Sequence, residues 1–215
     1  MSALFRPRSN TIFRVTLAVI AAALLGGLGW TWGYWRTPYG YRQQDPVTQP
    51  VQFDHRHHVV DDAIDCRYCH SNVDRGASAG IPSTETCLNC HNQVWNKSVL
   101  LDKVRESYFT GKPIPWIRVH KVPDFVYFNH SIHVNKGVGC VTCHGRVDQM
   151  PSIEQVAPLT MSWCLACHRD PAPNLRPPEE ITSTTWTPPA DPAFAASLMK
   201  KYDVHSRTSC STCHR

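Results

Sequence analysis

The pattern of hydrophobic and charged positions separates one long apolar segment from a more polar remainder. Residues 15–35 contain no charged side chain. As a helix rising about 1.5 Å per residue, this segment roughly matches the 30 Å hydrocarbon core of a bilayer. The pattern therefore predicts a single transmembrane helix near the N-terminus.

The flanks of this segment predict its orientation. Arg6, Arg8 and Arg14 precede it, and aromatic side chains crowd its far end: Trp30, Trp32, Tyr34 and Trp35. Basic residues favour the cytoplasmic side, and aromatic residues favour the interface. We expect an anchor in the bacterial inner membrane, with residues 1–14 in the cytoplasm and the remainder in the periplasm. A cleaved signal peptide is the alternative.

Small residues recur along the same segment: Ala18, Ala22, Gly26, Gly29 and Gly33. Small side chains let two helix backbones approach closely within lipid. The stripe predicts docking on a membrane helix of a partner, against the alternative of a generic Ala/Gly composition.

The polar remainder has no long periodic segment and many prolines. Of the 17 prolines, seven lie between residues 171 and 192. Proline interrupts both helices and central strands. The expected fold class is mainly α-helix and coil, with very little β structure.

All ten cysteines belong to five copies of Cys-x-x-Cys-His. The five motifs, numbered in chain order, are Cys66, Cys69 and His70; Cys87, Cys90 and His91; Cys140, Cys143 and His144; Cys164, Cys167 and His168; and Cys210, Cys213 and His214. Two such thiols can form thioethers with one haem, and the histidine that follows is the proximal iron ligand. Zinc ribbons, redox dithiols and disulfides are the alternatives, but five pairs leave an unpaired unit for zinc. The sequence predicts five covalently attached haem c groups.

Distal ligands are expected from the histidines outside these motifs. Two copies of Phe-x-His-x-x-His, beginning at Phe53 and at Phe128, supply four candidates: His55, His58, His130 and His133. Positions i and i+3 share one face of a helix, so a single turn can serve two neighbouring haems. His57 lies off this pattern and is expected at the surface.

The fifth haem has no local pair of donors. His120 is the first candidate for its distal ligand and His205 the second. Met150 and Met161 are rivals, since a thioether ligand raises the potential of a haem, although core packing is the commoner role of a methionine.

These elements form an internal repeat, in which each Phe-x-His-x-x-His precedes two haem motifs. The expected organisation is a basic N-terminus (1–14), the transmembrane helix (15–35), a linker (36–52), a first two-haem module (53–108), a second two-haem module (109–170), and a Pro-rich segment with the fifth haem (171–215).

The number of candidate iron ligands favours electron transfer as the function. Irons with two protein ligands have no free position for a substrate, so the chain alone is not expected to be catalytic. About 180 residues outside the apolar segment cannot enclose five macrocycles and also build a large core. The net charge of +5 omits about ten haem propionates, and nucleic acid is not an expected partner.

The sequence resembles the pentahaem cytochrome c subunit of alternative complex III over nearly its whole length. The resemblance rests on residues 66–70 with 79–82, on residues 116–130, and on residues 140–145 with 161–165. It implies partners: an iron-sulfur/molybdopterin-like protein, polytopic quinol-binding subunits and a monohaem cytochrome c. It also implies electron relay from quinol oxidation to a periplasmic acceptor or terminal oxidase.

Two other classes are alternatives. A stand-alone quinol dehydrogenase that feeds periplasmic reductases also has one N-terminal helix, but it commonly carries methionine two residues after its first haem-binding histidine, where this chain has Asn72. A multihaem enzyme acting on nitrite or hydroxylamine would need one haem with an open distal face.

The haem count is directly testable. The intact mature chain should exceed its polypeptide mass by five haem groups, measured by mass spectrometry under denaturing conditions. Replacing Cys210 and Cys213 with alanine should leave four, and a smaller loss or none would contradict the assignment of the fifth motif.

Overall fold

A computed structural model describes residue 6 and residues 8–214. The chain divides into two compact units, Met1–Gln43 and Gln44–Arg215. The first unit contains one long helix, and the second contains all five Cys-x-x-Cys-His motifs.

Helix α1, Arg8–Tyr34, dominates the first unit. It is 27 residues long with a mean hydropathy of 2.0 over its most apolar stretch, which suffices to cross a membrane. The helix begins before the apolar segment of residues 15–35, because backbone hydrogen bonding continues through the polar turns that lipid need not cover. One N-terminal apolar helix, compatible with a membrane anchor, is therefore confirmed.

The C-terminal end of α1 is an aromatic cluster. The rings of Trp30 and Tyr34 stack with 5.5 Å between their centroids. The Arg36 guanidinium lies 3.9 Å from the centroid of the Trp32 ring, a favourable cation–π position. Rings of this kind prefer a membrane–water interface, where one edge is apolar and the other is hydrated.

Short helices joined by irregular chain make up the second unit. Their bounds are α2 Cys66–Cys69, α3 Thr84–His91, α4 Asp102–Thr110, α5 His130–Asn135, α6 Cys140–His144, α7 Met161–Arg169, α8 Pro192–Lys201 and α9 Cys210–Cys213. A π-helical turn, His57–Asp61, and four 3-10 turns complete the set: Val99–Leu101, Val147–Gln149, Ala172–Asn174 and Pro178–Glu180. Residue 6 and residues 8–214 contain no extended strand, and Val138 and Leu175 form an isolated antiparallel bridge. The predicted fold class is confirmed.

The Pro-rich segment contains one regular helix that its composition did not indicate. Helix α8 begins at Pro192, where the fixed φ of proline suits the first helical position. The Asp191 side chain accepts a hydrogen bond from the Ala193 backbone N–H. Aspartate before proline is a helix start signal, and it could have been recognised in the sequence.

The protein core of the second unit is small. Its buried apolar side chains are Val51, Val73, Val104, Ala157, Leu175, Ile181 and Leu198. No large side chain among residues 6 and 8–214 is fully buried, and apolar groups such as Trp95, Val99 and Ile132 are exposed. A polypeptide of this size normally buries far more of its apolar surface. The space that a core would fill is therefore left for other apolar groups.

Contacts around Arg176 hold the Pro-rich segment against Gly137, in the loop that precedes helix α6. The Arg176 guanidinium donates to the Ser183 carbonyl oxygen at 2.8 Å, and the Tyr202 hydroxyl donates to the Arg176 carbonyl oxygen at 2.8 Å. Gly137 has φ of +90°, and a side chain there would meet the Tyr202 ring at 2.6 Å. The close approach therefore requires glycine.

Substitutions in α1 test the predicted docking on a partner's helix. A Cβ atom at Gly26, Gly29 or Gly33 would meet nothing within 4 Å, so leucine at these positions adds no clash within the chain. The triple leucine variant should still insert, but it should recover severalfold less of the partner subunits in pull-downs from detergent extracts, because close helix packing is blocked. Gly27→Leu, on another face and equally uncrowded, is the control. Unchanged recovery by the triple variant would contradict the docking.

Candidate haem-binding sites

All five cysteine pairs lie on helical turns. The first cysteine begins α2, α6 and α9, and the pairs of the second and fourth motifs lie inside α3 and α7. Residues i and i+3 of a helix share a face, so each pair presents both sulfur atoms in one direction. This is the arrangement that two thioether bonds to a single macrocycle need.

Local hydrogen bonds start two of these turns. The Asp65 carboxylate accepts from the Arg67 backbone N–H and from the Arg67 guanidinium, and this side-chain hydrogen bond lowers the pKa of Asp65 to about 2. The Thr160 side chain accepts from the Trp163 backbone N–H at the start of α7. Both are N-caps, which satisfy donors that a helix start leaves unpaired.

Seven of the ten histidines proposed as principal ligands use Nδ1 in the same way. Each Nδ1 lies within 2.8–3.1 Å of a backbone carbonyl oxygen: His58 with Asp54, His70 with Gly80, His91 with Val94, His130 with Ala77, His133 with Asn129, His168 with Arg207, and His214 with Phe125. A carbonyl only accepts, so Nδ1 carries the proton and Nε2 keeps its lone pair. Four proximal and three distal candidates thus present Nε2 as a metal ligand.

The two Phe-x-His-x-x-His segments have the same local geometry. Phe53 stacks on His58 with 4.3 Å between ring centroids and a 29° interplanar angle, and Phe128 stacks on His133 at 4.6 Å and 27°. The Phe53–His55 and Phe128–His130 ring pairs are both edge-on at 4.7 Å. The repeat read from the sequence is therefore repeated in side-chain geometry, and the phenylalanine orients both histidines.

An ion pair holds the first of these segments. Arg56 donates to both carboxylate oxygens of Asp54, whose backbone carbonyl accepts from His58. The Arg56 hydrogen bond lowers the pKa of Asp54 to about 2, so this carboxylate is charged at neutral pH. The His57 side chain is 63% exposed and lies between two carboxylates, 2.7 Å from that of Asp61 and 4.0 Å from that of Asp54.

Two distal candidates face proximal histidines at equal distances. The ring centroids of His58 and His91 lie 6.1 Å apart, and those of His133 and His168 lie 6.1 Å apart. A bond of about 2 Å from a metal to each imidazole nitrogen places two rings on opposite sides of one ion roughly 6 Å apart. The spacing fits axial ligation of the second haem by His58 and His91, and of the fourth haem by His133 and His168.

The third motif has two candidate partners. The His144 ring centroid lies 6.3 Å from that of His130 and 4.3 Å from that of His120. His120 was expected at the fifth haem, but its ring lies beside the proximal histidine of the third. The ring found next to His214, at 5.8 Å, is that of Phe125.

Burial keeps several of these imidazoles neutral. It lowers the pKa of His144 to about 3 and of His55 to about 4, and it also lowers the pKa of His120 and of His133. The His55 Nδ1 and His120 Nε2 atoms are buried without a hydrogen-bond partner. A buried polar nitrogen without a partner is costly, and binding of His120 to iron through Nε2 would satisfy that atom.

The weaker distal candidates lie in other surroundings. His205 is 69% exposed, and its Nε2 lies 2.8 Å from the Asp203 carboxylate. Met161 is 64% exposed at the first position of α7, and Met150 is half-buried after the 3-10 turn that ends at Gln149.

These residues fit haem better than a bare metal ion. Residues 6 and 8–214 hold no cluster of three or more His, Cys, Asp or Glu side chains suited to an ion. They instead hold opposed imidazoles with Nε2 available, cysteine pairs on one helix face, and exposed apolar side chains that need a cover. The backbone carbonyls that orient the histidines could not be recognised in the sequence, since they depend on loop conformation.

Comparison with known proteins agrees with this chemistry. Residues 126–215 match the family of cytochrome c7 and related cytochromes c. A relative from Nitratidesulfovibrio vulgaris, the multiheme cytochrome c subunit of a menaquinone reductase, is 32% identical over 184 residues, which cover 85% of this chain and 74% of the relative.

His58 and His57 provide a matched test of distal ligation. His58→Ala should leave one haem with an open position, so the reduced protein should bind about one carbon monoxide per chain and the oxidised protein should gain a high-spin signal. His57→Ala should do neither, because that side chain is exposed and contacts Asp61. Optical difference spectra and electron paramagnetic resonance measure both. Identical spectra for the two variants would exclude His58 as a ligand.

Proposed function

Because the chain belongs to the family of multihaem cytochrome c subunits, we propose that it carries electrons, on five haem c groups, within a quinone-linked membrane complex. Haem supplies reversible one-electron exchange at its iron. The polypeptide supplies attachment, axial ligands and the path between sites.

The opposed imidazole pairs carry this proposal. His58 with His91 and His133 with His168 stand at the spacing of two axial ligands on one iron. An iron held from both sides by protein has no position for a substrate. Electron transfer without bond chemistry is the function that this arrangement supports best.

The residues around these pairs set the properties of each site. A carbonyl that accepts from Nδ1 makes the imidazole a more basic ligand and fixes the direction of its ring. Different degrees of burial then separate the potentials, since a dry site disfavours the charged state more than a hydrated one. His91 lies next to exposed Val94, whereas burial lowers the pKa of His144 to about 3, so the second and third sites should differ.

The complex is proposed to resemble alternative complex III. Helix α1 would anchor the chain with its N-terminus in the cytoplasm and residues 44–215 in the periplasm. An iron-sulfur/molybdopterin-like protein and polytopic quinol-binding subunits would deliver electrons from quinol. A monohaem cytochrome c, another periplasmic acceptor or a terminal oxidase would receive them.

Electron flow in the opposite direction is the second candidate. The relative from Nitratidesulfovibrio vulgaris is named as a subunit of a menaquinone reductase, and a complex of that kind passes electrons to the quinone. The same residues would serve either direction, because axial ligation by two histidines does not impose a direction.

Asn72 bears on the stand-alone quinol dehydrogenase. In such enzymes methionine commonly occupies this position, whereas the Asn72 side chain here donates to the Ser78 carbonyl oxygen at 2.8 Å. It thus shapes the loop that follows the first motif. A role in this loop favours relay over quinol oxidation by the chain alone.

Stopped-flow spectroscopy of haem reduction tests the proposal. A menaquinol analogue should reduce the haems rapidly in the detergent-extracted complex and at least about a hundredfold more slowly in the purified chain, since the quinol site lies on a partner. Equal rates would make the chain a quinol dehydrogenase by itself. A prereduced complex that is oxidised by the quinone but is not reduced by the quinol would establish the reverse direction.

A further inference from the structure

The first and second motifs are in direct contact. The Asn89 side-chain amide, inside the second motif, donates to the Tyr68 hydroxyl, inside the first, at 3.0 Å. Phe53 touches both His55 and His58, and His58 faces His91 of the second motif. The two haem sites of the first module are therefore neighbours.

The first and third motifs are held next to each other by residues 181 and 182. Thr182 donates to the Asp65 carboxylate, which caps the first motif, and the adjacent Ile181 carbonyl accepts from the Cys140 backbone N–H of the third. The thiols of Cys66 and Cys140 lie within hydrogen-bonding reach of each other. In the chain, 74 positions separate these two cysteines, so the contact is tertiary.

Helix α5, which carries the distal candidates His130 and His133, also contacts the loop after the first motif. His130 donates through its backbone N–H and its Nδ1 to the Ala77 carbonyl oxygen, in the loop after the first motif. The Asn135 amide donates to the Asp74 carbonyl oxygen at 2.9 Å. The two modules thus join through their first haem sites.

The third and fourth motifs share one aromatic ring. Phe128 contacts His130 and His133, whose rings face His144 and His168 respectively. Cys143 of the third motif lies near Cys164 and Cys167 of the fourth. The two sites of the second module are neighbours, as in the first.

The fifth motif lies against the fourth. His168 donates through Nδ1 to the Arg207 carbonyl oxygen, three residues before Cys210. Cys164 of the fourth motif lies near Cys213 of the fifth. The Tyr127 backbone N–H donates to the Cys213 carbonyl oxygen at 2.8 Å, which fixes the fifth motif beside the start of the second donor segment.

From these contacts we propose that the five haem sites form one unbranched line in the order second, first, third, fourth, fifth, and that electrons enter and leave only at the second and fifth sites. The line departs from chain order because the two modules meet through their first sites. This inference deepens the proposed function and rests on it for the direction of flow.

Exposure of the cysteines supports the two ends independently. Of the ten, Cys90 in the second motif and Cys210 in the fifth are exposed, and the other eight are half-buried. A haem attached at an exposed cysteine would have an edge near the surface, where a redox partner could approach. The two exposed cysteines thus belong to the motifs at the two ends of the line.

Nuclear magnetic resonance of the fully reduced protein tests the order. Haem protons should show Overhauser effects between neighbouring sites only, with the second and fourth haems assigned through His58→Ala and His133→Ala. Effects between first and third haems are expected. A direct effect between the second haem and the fourth or fifth, or loss of the contact between first and third, would overturn the order. This readout needs neither quinol nor acceptor, so it separates failure of the order from failure of the proposed function.

Charge reversal at the surface tests the two ends. Two variants reverse a charge near an end of the line: Lys97→Glu beyond the second motif and Arg207→Glu before the fifth. In the intact complex, each should slow electron transfer between the haems and a redox partner about tenfold, because like charges oppose docking. Arg75→Glu, an exposed site 80% accessible beside the internal first motif, is the control and should change it less than about twofold. Partner recovery in pull-downs should fall with the same two variants. A stronger effect of Arg75→Glu than of both end variants would overturn the assignment of the ends.

Discussion

The hydrogen bond from histidine Nδ1 to a backbone carbonyl is the interaction on which the described sites depend. It recurs at seven ligand candidates. It fixes the tautomer, aims Nε2 at the iron position and ties each ligand to a particular loop. The irregular chain between the short helices is therefore functional, because its carbonyl groups direct the ligands as specifically as side chains would.

Much of this arrangement follows from sequence spacing. Cys-x-x-Cys-His determines two sulfur atoms and one nitrogen within a single turn, and Phe-x-His-x-x-His determines two nitrogens on one face. The apolar helix and the scarcity of strands follow from hydropathy and proline in the same way. These are local properties, which can be predicted directly from the order of the residues.

The rest depends on tertiary contacts that spacing does not encode. His120 was assigned to the fifth haem because that motif lacked a local donor, but the backbone brings its ring to His144. The contact of Cys66 with Cys140 and the role of the Ala77 carbonyl depend likewise on how two modules pack. Helix α8 is a different case, because Asp191 before Pro192 is a local signal for a helix start and could have been recognised in the sequence.

The hydrogen bond from Thr182 to Asp65 joins residues 117 positions apart. Closing so long a loop costs conformational entropy before any contact compensates for it, and contacts of high sequence separation form slowly. The helical turns that carry the cysteine pairs are local and can form before this long-range hydrogen bond does. We therefore expect the cysteine-bearing turns to be accessible to haem attachment before the contact between Thr182 and Asp65 closes this loop.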